Sequence, residues 1–267
     1  MMALHDFINC FFITKRNFDC SFYYLGRKSM TISEFLIIPA KPEHVTYAEQ
    51  ICNEMFESAK ARGTGIARRK PEYVANKMIE GKAVIALHKD GRWAGFVYIE
   101  TWGHGDYVAN SGLIVNPEFR KVGLAKAIKK RVFELSREKY PHAKIFGLTT
   151  GLAVMKINSE LGYEPVTYSE LTQDEEFWKG CQSCVNYDIL LSKDRKNCMC
   201  TAMLWDPVDK ERELKEKIQR KAEAKERLER ITQKQSLLKR IEAKLWKSAK
   251  KFVAVNFHKS KKVVKEF

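Results

Sequence analysis

The sequence lacks an apolar run long enough to cross a membrane. A spanning helix needs about 20 apolar residues, whereas the apolar run over residues 7–14 is interrupted by Asn9 and stops at Lys15. A small-residue cleavage site, which a secretory signal needs, is also missing from this start. We therefore expect neither a membrane span nor secretion, and we interpret residues 1–29 as an N-terminal extension outside the fold.

The cysteines cannot all pair, because their number is odd. Seven cysteines in a chain without an export signal indicate a reducing compartment, where thiols stay free or bind metal. We therefore expect a cytoplasmic protein. The 267 residues and the hydrophobic fraction of 45% suffice for one or two domains with a full core.

Positive charge is in excess, but it is concentrated in the C-terminal part. Residues 207–267 contain 20 lysines and arginines against 9 acidic residues, so they carry +11 of the net +15. Asp206 and Pro207 suit a helix start, and an approximate helical stripe follows at Leu214, Ile218, Leu228, Ile231, Leu238, Ile241 and Leu245. We predict a long basic helix over 207–267, with a break near residues 233–236 as the alternative. A tight coiled-coil seam is not expected, because Lys221 and Lys225 interrupt the stripe.

Upstream of that helix, apolar periodicity predicts the element order β-α-α-β-β-β-α-β-α-β. Strands are expected at 35–40, 83–87, 94–99, 107–115, 145–149 and 163–168, and helices at 42–61, 71–78, 123–140 and 152–161. A Gly-containing turn at residues 89–92 predicts that the second and third strands pair antiparallel.

Two motifs resemble those of the GNAT (GCN5-related N-acetyltransferase) superfamily. Residues 115–125, Val-Asn-Pro-Glu-Phe-Arg-Lys-Val-Gly-Leu-Ala, resemble its acyl-CoA loop, Val-x-Pro-x-x-[Arg/Gln]-x-x-Gly-x-[Gly/Ala]. Residues 158–163, Asn-Ser-Glu-Leu-Gly-Tyr, resemble its second signature, a helix that ends in Leu-Gly-[Phe/Tyr]. The resemblance covers residues 33–170 and implies an α/β (α+β) GNAT domain over residues 30–206, with a mostly antiparallel sheet flanked by helices. It also implies an N-acyltransferase that moves an acetyl or related group from acyl-CoA to a primary amine.

The chemistry of the loop agrees with this resemblance. The first turn of a helix leaves about four backbone N–H groups unpaired and carries partial positive charge, so a diphosphate binds there. Gly123 and Ala125 allow close approach, while Arg120 and Lys121 add charge. The residues expected to contact acyl-CoA are Leu113, Ile114, Val115, Arg120, Lys121, Val122, Gly123, Leu124, Ala125 and, from the second motif, Asn158.

The catalytic acid and base are less clearly marked. Many members of the superfamily have a tyrosine where this sequence has Asn158, and an amide cannot deliver a proton as a phenol can. Glu100 and His104 lie where members often place a carboxylate that acts through water, so both are candidate catalytic residues. Each has a plainer alternative, an edge charge for Glu100 and a solvent-facing turn residue for His104.

The acceptor in this fold enters near the loop that follows the first helix. Here that loop contains Arg62, Arg68 and Arg69, and guanidinium groups bind carboxylates in a bidentate manner. The loop thus suggests a small amine with a carboxylate, such as the amino acid glutamate, although a basic loop can also simply be solvated.

Four cysteines form a separate cluster, Cys181, Cys184, Cys198 and Cys200. If a hairpin brought the two pairs together, four thiolates at this spacing would suit one structural zinc ion. Free thiols in a strand hairpin, a redox pair and an iron–sulfur site are the alternatives.

Two rival functions remain open. In one, the basic tail binds RNA or another polyanion and the GNAT domain modifies or senses something there, although no aromatic stacking platform accompanies the charge. In the other, the domain binds CoA without activity. The sequence leaves the acceptor amine and the oligomeric state undetermined.

Overall fold

One seven-stranded sheet organises the first of two units, which divide between Trp205 and Asp206. The computed structural model describes residues 30–63 and 69–263, so the expected N-terminal extension over 1–29 lies outside the described residues. The strands are β1 (Phe35–Pro39), β2 (Ala83–His88), β3 (Trp93–Trp102), β4 (Tyr107–Val115), β5 (Lys144–Thr149), β6 (Glu164–Val166) and β7 (Thr201–Trp205). Their spatial order is β1-β2-β3-β4-β5-β7-β6, and only β4 and β5 are parallel neighbours.

Six helices accompany this sheet in the described residues. They are α1 (Ala48–Arg62), α2 (Pro71–Ile79), α3 (Leu124–Lys139), α4 (Leu152–Glu160), α5 (Glu175–Lys179) and α6 (Tyr187–Ser192). The helix predicted from Pro42 begins later, because residues 42–47 form a 3-10 helix. The predicted fold class, a mixed α/β domain with a mostly antiparallel sheet flanked by helices, is confirmed.

Side-chain alternation along the strands gives the sheet two apolar faces. On one face, residues such as Val97 and Val108 pack against the buried side of α3. On the other face, Phe96 and Ile114 pack against α1 and α2. Farther along that second face, Phe146 and Leu204 pack with Trp178 and Leu190 from α5 and α6. The second face is therefore covered by two separate groups of helices.

The cysteine-containing segment does not form the predicted strand hairpin. Residues 180–183 form a 3-10 helix, α6 follows, and the chain then enters β7, which pairs with both β5 and β6. Helix α5 was also not predicted. Its start is capped by Asp174, whose side chain accepts a hydrogen bond from the Glu176 amide at 3.0 Å.

The second unit contains one long helix, α7 (Pro207–Val263). The predicted long basic helix is therefore confirmed, and it continues without a break through residues 233–236. Ion pairs at a spacing of three or four residues join Lys210 to Glu213, Arg212 to Asp209, Lys215 to Glu211, Arg220 to Glu216 and Arg230 to Glu226. A search of the described helices finds none that is both long and apolar enough to cross a bilayer.

Candidate active site

A wedge opens in the middle of the sheet where β4 separates from β5. The two strands pair only from Tyr107 to Ala109 on β4, opposite residues 144–146 of β5. Beyond Ala109, β4 continues to pair with β3, and β5 continues to pair with β7. In the described residues, the β5-facing edge of residues 110–115 therefore has no ladder partner, which leaves backbone donors and acceptors for an extended ligand.

A bulge shapes β4 along this wedge. The register between β3 and β4 shifts between Phe96 and Tyr98, because β4 contains an extra residue there. Gly112 has a φ of +69°, and a Cβ at this position would lie 2.4 Å from a ring carbon of Tyr98. Glycine is required here both by the backbone conformation and by the ring. Of the residues expected to contact acyl-CoA, Leu113 packs on the α3 face together with Val115, and Ile114 packs on the opposite face.

The predicted acyl-CoA loop joins the end of β4 to the start of α3. Asn116 caps a short 3-10 turn, accepting a hydrogen bond from the Glu118 amide at 3.1 Å. Gly123 then adopts a φ of +83° as the N-cap of α3, and a Cβ there would meet no atom within 4 Å. The helix N-terminus thus opens onto free space, and its first turn contains no acidic residue. This arrangement suits a diphosphate.

The two basic residues of the loop have different surroundings. Arg120 donates from Nε to the Val115 carbonyl at 3.1 Å, and from Nη2 to Glu54 at 3.0 Å and Ser58 at 2.9 Å. Its guanidinium therefore ties the loop to α1. Lys121 is exposed and has a φ of +71°. Val122 and Ala125 pack against the core together with the buried Leu124.

Asn158 occupies a buried position beside the wedge. Its side chain is 1% exposed, and its Nδ2 lies 3.6 Å from the Met203 sulfur. The Oδ1 atom is buried without a hydrogen-bond partner among the described residues. A Cβ at Gly147 of β5 would lie 3.9 Å from the Asn158 amide nitrogen, so the side chain sits against the strand that borders the wedge. Because an unpaired buried acceptor is costly, this oxygen is suited to a ligand donor.

Glu100 lies on the α1/α2 face of the sheet, near the point where the wedge begins. It pairs with Ala109, the last β4 residue that also pairs with β5. The Tyr73 hydroxyl donates to Glu100 Oε1, and Ser111 Oγ donates to Oε2 at 3.0 Å. Burial, followed by this hydrogen bond, raises the pKa of Tyr73, so the phenol remains a donor. The carboxylate is thereby held in one orientation.

Two cations lie in the same neighbourhood, Arg69 and Lys77. Arg69 Nε donates to the Tyr98 hydroxyl at 2.7 Å, and its guanidinium carbon lies 5.7 Å from the centre of the Tyr73 ring. Burial raises the pKa of Tyr98 to about 12. Burial lowers the pKa of Lys77, while the charge of Glu100 acts in the opposite direction. We call Arg69, Tyr73, Tyr98, Glu100 and Ser111 the open cluster.

Not all predicted site residues come together. His104 is exposed in the β3–β4 turn, with a φ of 56°, and among the described residues no hydrogen bond or ion pair links its side chain to the open cluster. Arg68 and the side chain of Arg62 lie outside the described residues. Tyr73, Tyr98 and Ser111 were not predicted as site residues. Tyr98 had one usable signal, since it stands two residues before Glu100 on the same face of β3. For Tyr73 and Ser111 no sequence signal was present.

A second polar cluster lies on the α3 face of the same strands, and we call it the sealed cluster. Lys129 is 2% exposed, and its Nζ donates to Asn110 Oδ1 at 3.2 Å. The same oxygen accepts the Tyr163 hydroxyl at 3.0 Å, while Asn110 Nδ2 donates to Ser136 Oγ at 2.9 Å. Ser136 in turn donates to the Val132 carbonyl at 2.7 Å. Burial lowers the pKa of Lys129 to about 7.

The prediction of a zinc site is not supported. In the parts of the chain that the structure describes, no group of three or more His, Cys, Asp or Glu side chains could hold a metal ion. Cys184 and Cys198 accept local amide hydrogen bonds, from Asn186 at 3.5 Å and from Cys200 at 3.3 Å. The Tyr168 hydroxyl lies 2.8 Å from the Cys198 sulfur. Burial raises the pKa of Cys181 to about 11, so this thiol is protonated at neutral pH.

Comparison with known proteins gives one curated relative and several similar structures. No family model matches the sequence. A thialysine N-epsilon-acetyltransferase from Caenorhabditis elegans is 25% identical over 146 residues, which cover 54% of this chain and 89% of the relative. The resemblance to N-acetyltransferases is therefore confirmed at the level of sequence.

Two of the solved structures to which the chain is similar are acetyl-transferring enzymes by name. An N-acetylglutamate synthase from Neisseria gonorrhoeae, complexed with coenzyme A and N-acetyl-glutamate, is 17% identical with a TM-score of 0.47. The match covers 64% of this chain but 35% of the synthase, so the chain spans about a third of its length. An acetyltransferase of the GNAT family from Staphylococcus aureus is 14% identical with a TM-score of 0.44, over 52% of this chain and 90% of that one.

Proposed function

We propose that this chain moves an acetyl group from acetyl-CoA to a small primary amine. Its motifs and element order resemble those of the GNAT N-acetyltransferases, and its curated relative is named as an N-acetyltransferase. The acceptor that best suits its open cluster is an amine with a carboxylate, such as an amino acid like glutamate. The observation that carries the proposal is the wedge between β4 and β5, which leads to the open N-terminus of α3.

The donor side of the proposal rests on three complementary groups. The diphosphate of acetyl-CoA would accept hydrogen bonds from the first-turn amides of α3, where Gly123 leaves room. The pantetheine arm would pair with the free edge of β4, as an added strand does. A pantetheine amide could donate to Asn158 Oδ1, the buried acceptor that has no partner in the described residues.

On the catalytic side, we assign the general base to Glu100. The amine must be neutral when it attacks the thioester carbonyl, so one proton has to leave the ammonium form. Glu100 stands at the start of the wedge, and hydrogen bonds from Tyr73 and Ser111 fix its carboxylate. When the carbon–sulfur bond breaks, the nitrogen of the new amide loses its second proton and the CoA thiolate takes up one proton, so that neutral amide and free thiol leave. With Asn158 in place of a tyrosine, we expect catalysis to depend mainly on positioning of the two substrates.

The acceptor side is supported by Arg69. In the described residues its guanidinium donates a hydrogen bond to Tyr98 through Nε, so the Nη groups remain for a bidentate carboxylate. Lys77 adds positive charge nearby. The curated relative is named for acetylation of the ε-nitrogen of thialysine, which is consistent with an acceptor amine on a small molecule.

The donor site is tested by Gly123→Glu. A carboxylate at the start of α3 would repel the diphosphate and fill its space, so we expect loss of CoA binding in calorimetric titration. Gly105→Glu is the matched control, because Gly105 also has a positive φ and open surroundings. Both variants carry similar backbone strain of about 1–2 kcal/mol. Equal CoA affinity in the two variants would reject this donor site.

The acceptor is tested with wild-type protein, acetyl-CoA and a panel of amines, by following the released CoA thiol. We expect amines with a carboxylate to react faster than their methyl esters. Arg69→Gln should raise KM for the carboxylate acceptors about 10–100-fold, because the variant loses one or two charge-assisted hydrogen bonds to the carboxylate. Arg131→Gln on the surface of α3 is the control. If CoA binds but esters and acids react equally, the carboxylate assignment fails while acetyl transfer stands.

A further inference from the structure

Helix α7 changes character along its length. Residues 209–230 contain nine basic and seven acidic residues, and the described ion pairs of α7 lie in this part. Residues 237–251 contain six basic residues and one acidic residue, Glu242. The first part is a solvated helix with balanced charge, whereas the second part has charge of almost one sign.

Charge and apolar surface are separated around residues 237–251, which we call the basic amphipathic segment. At 3.6 residues per turn, one half of the circumference carries Leu237, Leu238, Ile241, Leu245 and Trp246, all exposed, and its only charged residue is Glu242, next to Trp246. The opposite half carries Lys239, Arg240, Lys244, Lys247, Lys250 and Lys251, also exposed. Trp246 lies at the border between the halves, with the Lys250 ammonium 5.3 Å from its ring centre.

We propose that the basic amphipathic segment docks on the surface of an anionic lipid bilayer. A helix with lysine and arginine on one half, and leucine, isoleucine and tryptophan on the other, lies in the plane of such an interface. The basic side chains can extend toward lipid phosphates while their methylene groups cover apolar surface. Tryptophan is favoured at the boundary between headgroups and acyl chains, which is the place that Trp246 would occupy.

Other occupants match these features less well. A second copy of the helix would need a narrow seam at heptad spacing, but the apolar half is wide and Ser248 interrupts the seam that Leu238, Ile241 and Leu245 would begin. RNA would use the charge, but it would leave the five apolar side chains exposed. A lipid surface would contact both halves of the segment, the basic half through lipid phosphates and the apolar half through acyl chains.

The test is flotation of the full chain with vesicles. We expect binding to vesicles of phosphatidylcholine mixed with phosphatidylglycerol, and none to phosphatidylcholine alone. Leu238→Ser with Leu245→Ser should abolish flotation, whereas the control pair Leu214→Ser and Ile218→Ser, in the charge-balanced part of α7, should not. Lys247→Gln with Lys250→Gln should weaken binding about 30-fold, since each basic residue near such a surface contributes about fivefold.

Three outcomes would overturn the proposal. The first is absence of flotation with anionic vesicles. The second is flotation that survives the serine pair in the basic amphipathic segment but is lost with the glutamine pair, which would indicate a purely electrostatic site for polyanions such as RNA. The third is a dimer that the same serine pair dissociates, without vesicle binding, which would identify a second copy as the occupant.

Discussion

The open and sealed clusters lie on opposite faces of β4, at adjacent residues of the chain. Ser111 belongs to the open cluster, and Asn110 belongs to the sealed cluster. Both combine a cation and a side-chain acceptor with tyrosine, two tyrosines in the open cluster and one in the sealed cluster. They differ in exposure, because three members of the open cluster (Arg69, Tyr73 and Ser111) are partly exposed near the wedge between β4 and β5. In the sealed cluster, Lys129, Ser136 and Tyr163 are at most 2% exposed where α3 packs on the sheet.

This difference separates the roles that similar residues can have. A buried polar network that is fully hydrogen-bonded specifies packing, and its energy appears in the stability of the fold. A polar group at a cleft can instead form hydrogen bonds with a ligand. We therefore expect substitutions in the open cluster to change reaction rates, and substitutions in the sealed cluster to change the free energy of unfolding.

The largest expected effect is that of Glu100→Gln on kcat. An amide cannot accept the proton of the ammonium group, so kcat should fall about 10²–10⁴-fold, the usual contribution of a general base. The amide is nearly isosteric, so the unfolding free energy and the CoA affinity should remain close to those of the wild type. Steady-state rates across pH measure the loss, with Glu80→Gln at the exposed end of α2 as control. A kcat of Glu100→Gln equal to that of the wild type would reject the assignment of Glu100 as general base.

An intermediate effect is expected for Lys129→Met, and it should depend on pH. The folded-state pKa of Lys129 is lowered from 10.5 to about 7 by burial. Between these values the unfolded chain binds more protons than the folded one, so raising the pH stabilises the wild type by about 1.4 kcal/mol per pH unit relative to the variant. Below about pH 7 the penalty of the buried charge is complete, and the methionine variant should be the more stable.

Denaturant unfolding at several pH values checks this expectation. Lys130→Met, a neighbouring exposed position on α3, is the matched control and should give a difference from the wild type that is nearly independent of pH. If the difference in unfolding free energy between wild type and Lys129→Met stayed constant from pH 7 to pH 10, the interpretation of Lys129 as a buried, neutralised amine would be contradicted.

The smallest effect is expected for Ser136→Ala. The substitution removes the acceptor of the Asn110 amide, which leaves a buried donor unpaired and costs about 1–3 kcal/mol of unfolding free energy. Ser192→Ala removes a similar serine-to-carbonyl bond at an exposed helix end and should change stability by less than about 0.5 kcal/mol. Loss of acetyl transfer by folded Ser136→Ala would show that the two clusters are coupled.

Much of the sheet could be predicted from sequence, because the responsible signals are local. Strand β4 has the predicted bounds, and the turn at Gly91 joins two antiparallel strands as expected. The loop to α3 was marked by Pro117 and Gly123, whose backbone requirements few other residues meet. Such positions can be recognised from the local sequence, without knowledge of the rest of the fold.

The remainder depended on long-range packing. Strand β7 has only five residues, and its place between β5 and β6 is fixed by neighbours that are distant in sequence. The spacing of the cysteines suggested a hairpin, but α6 occupies that segment. Tyr73 reaches Glu100 from another element 27 residues away. None of these contacts leaves a local pattern that a single sequence could reveal.

The most direct test of the account is kcat for Glu100→Gln and for Lys129→Met, measured in one acetyl-transfer assay on equal amounts of folded protein. The assay uses the best acceptor from the amine panel and saturating acetyl-CoA. We predict that Glu100→Gln loses about 10²–10⁴-fold in kcat while Lys129→Met keeps the wild-type rate. Equal rates in the two variants, or a loss confined to Lys129→Met, would contradict the assignment of catalysis to the open cluster.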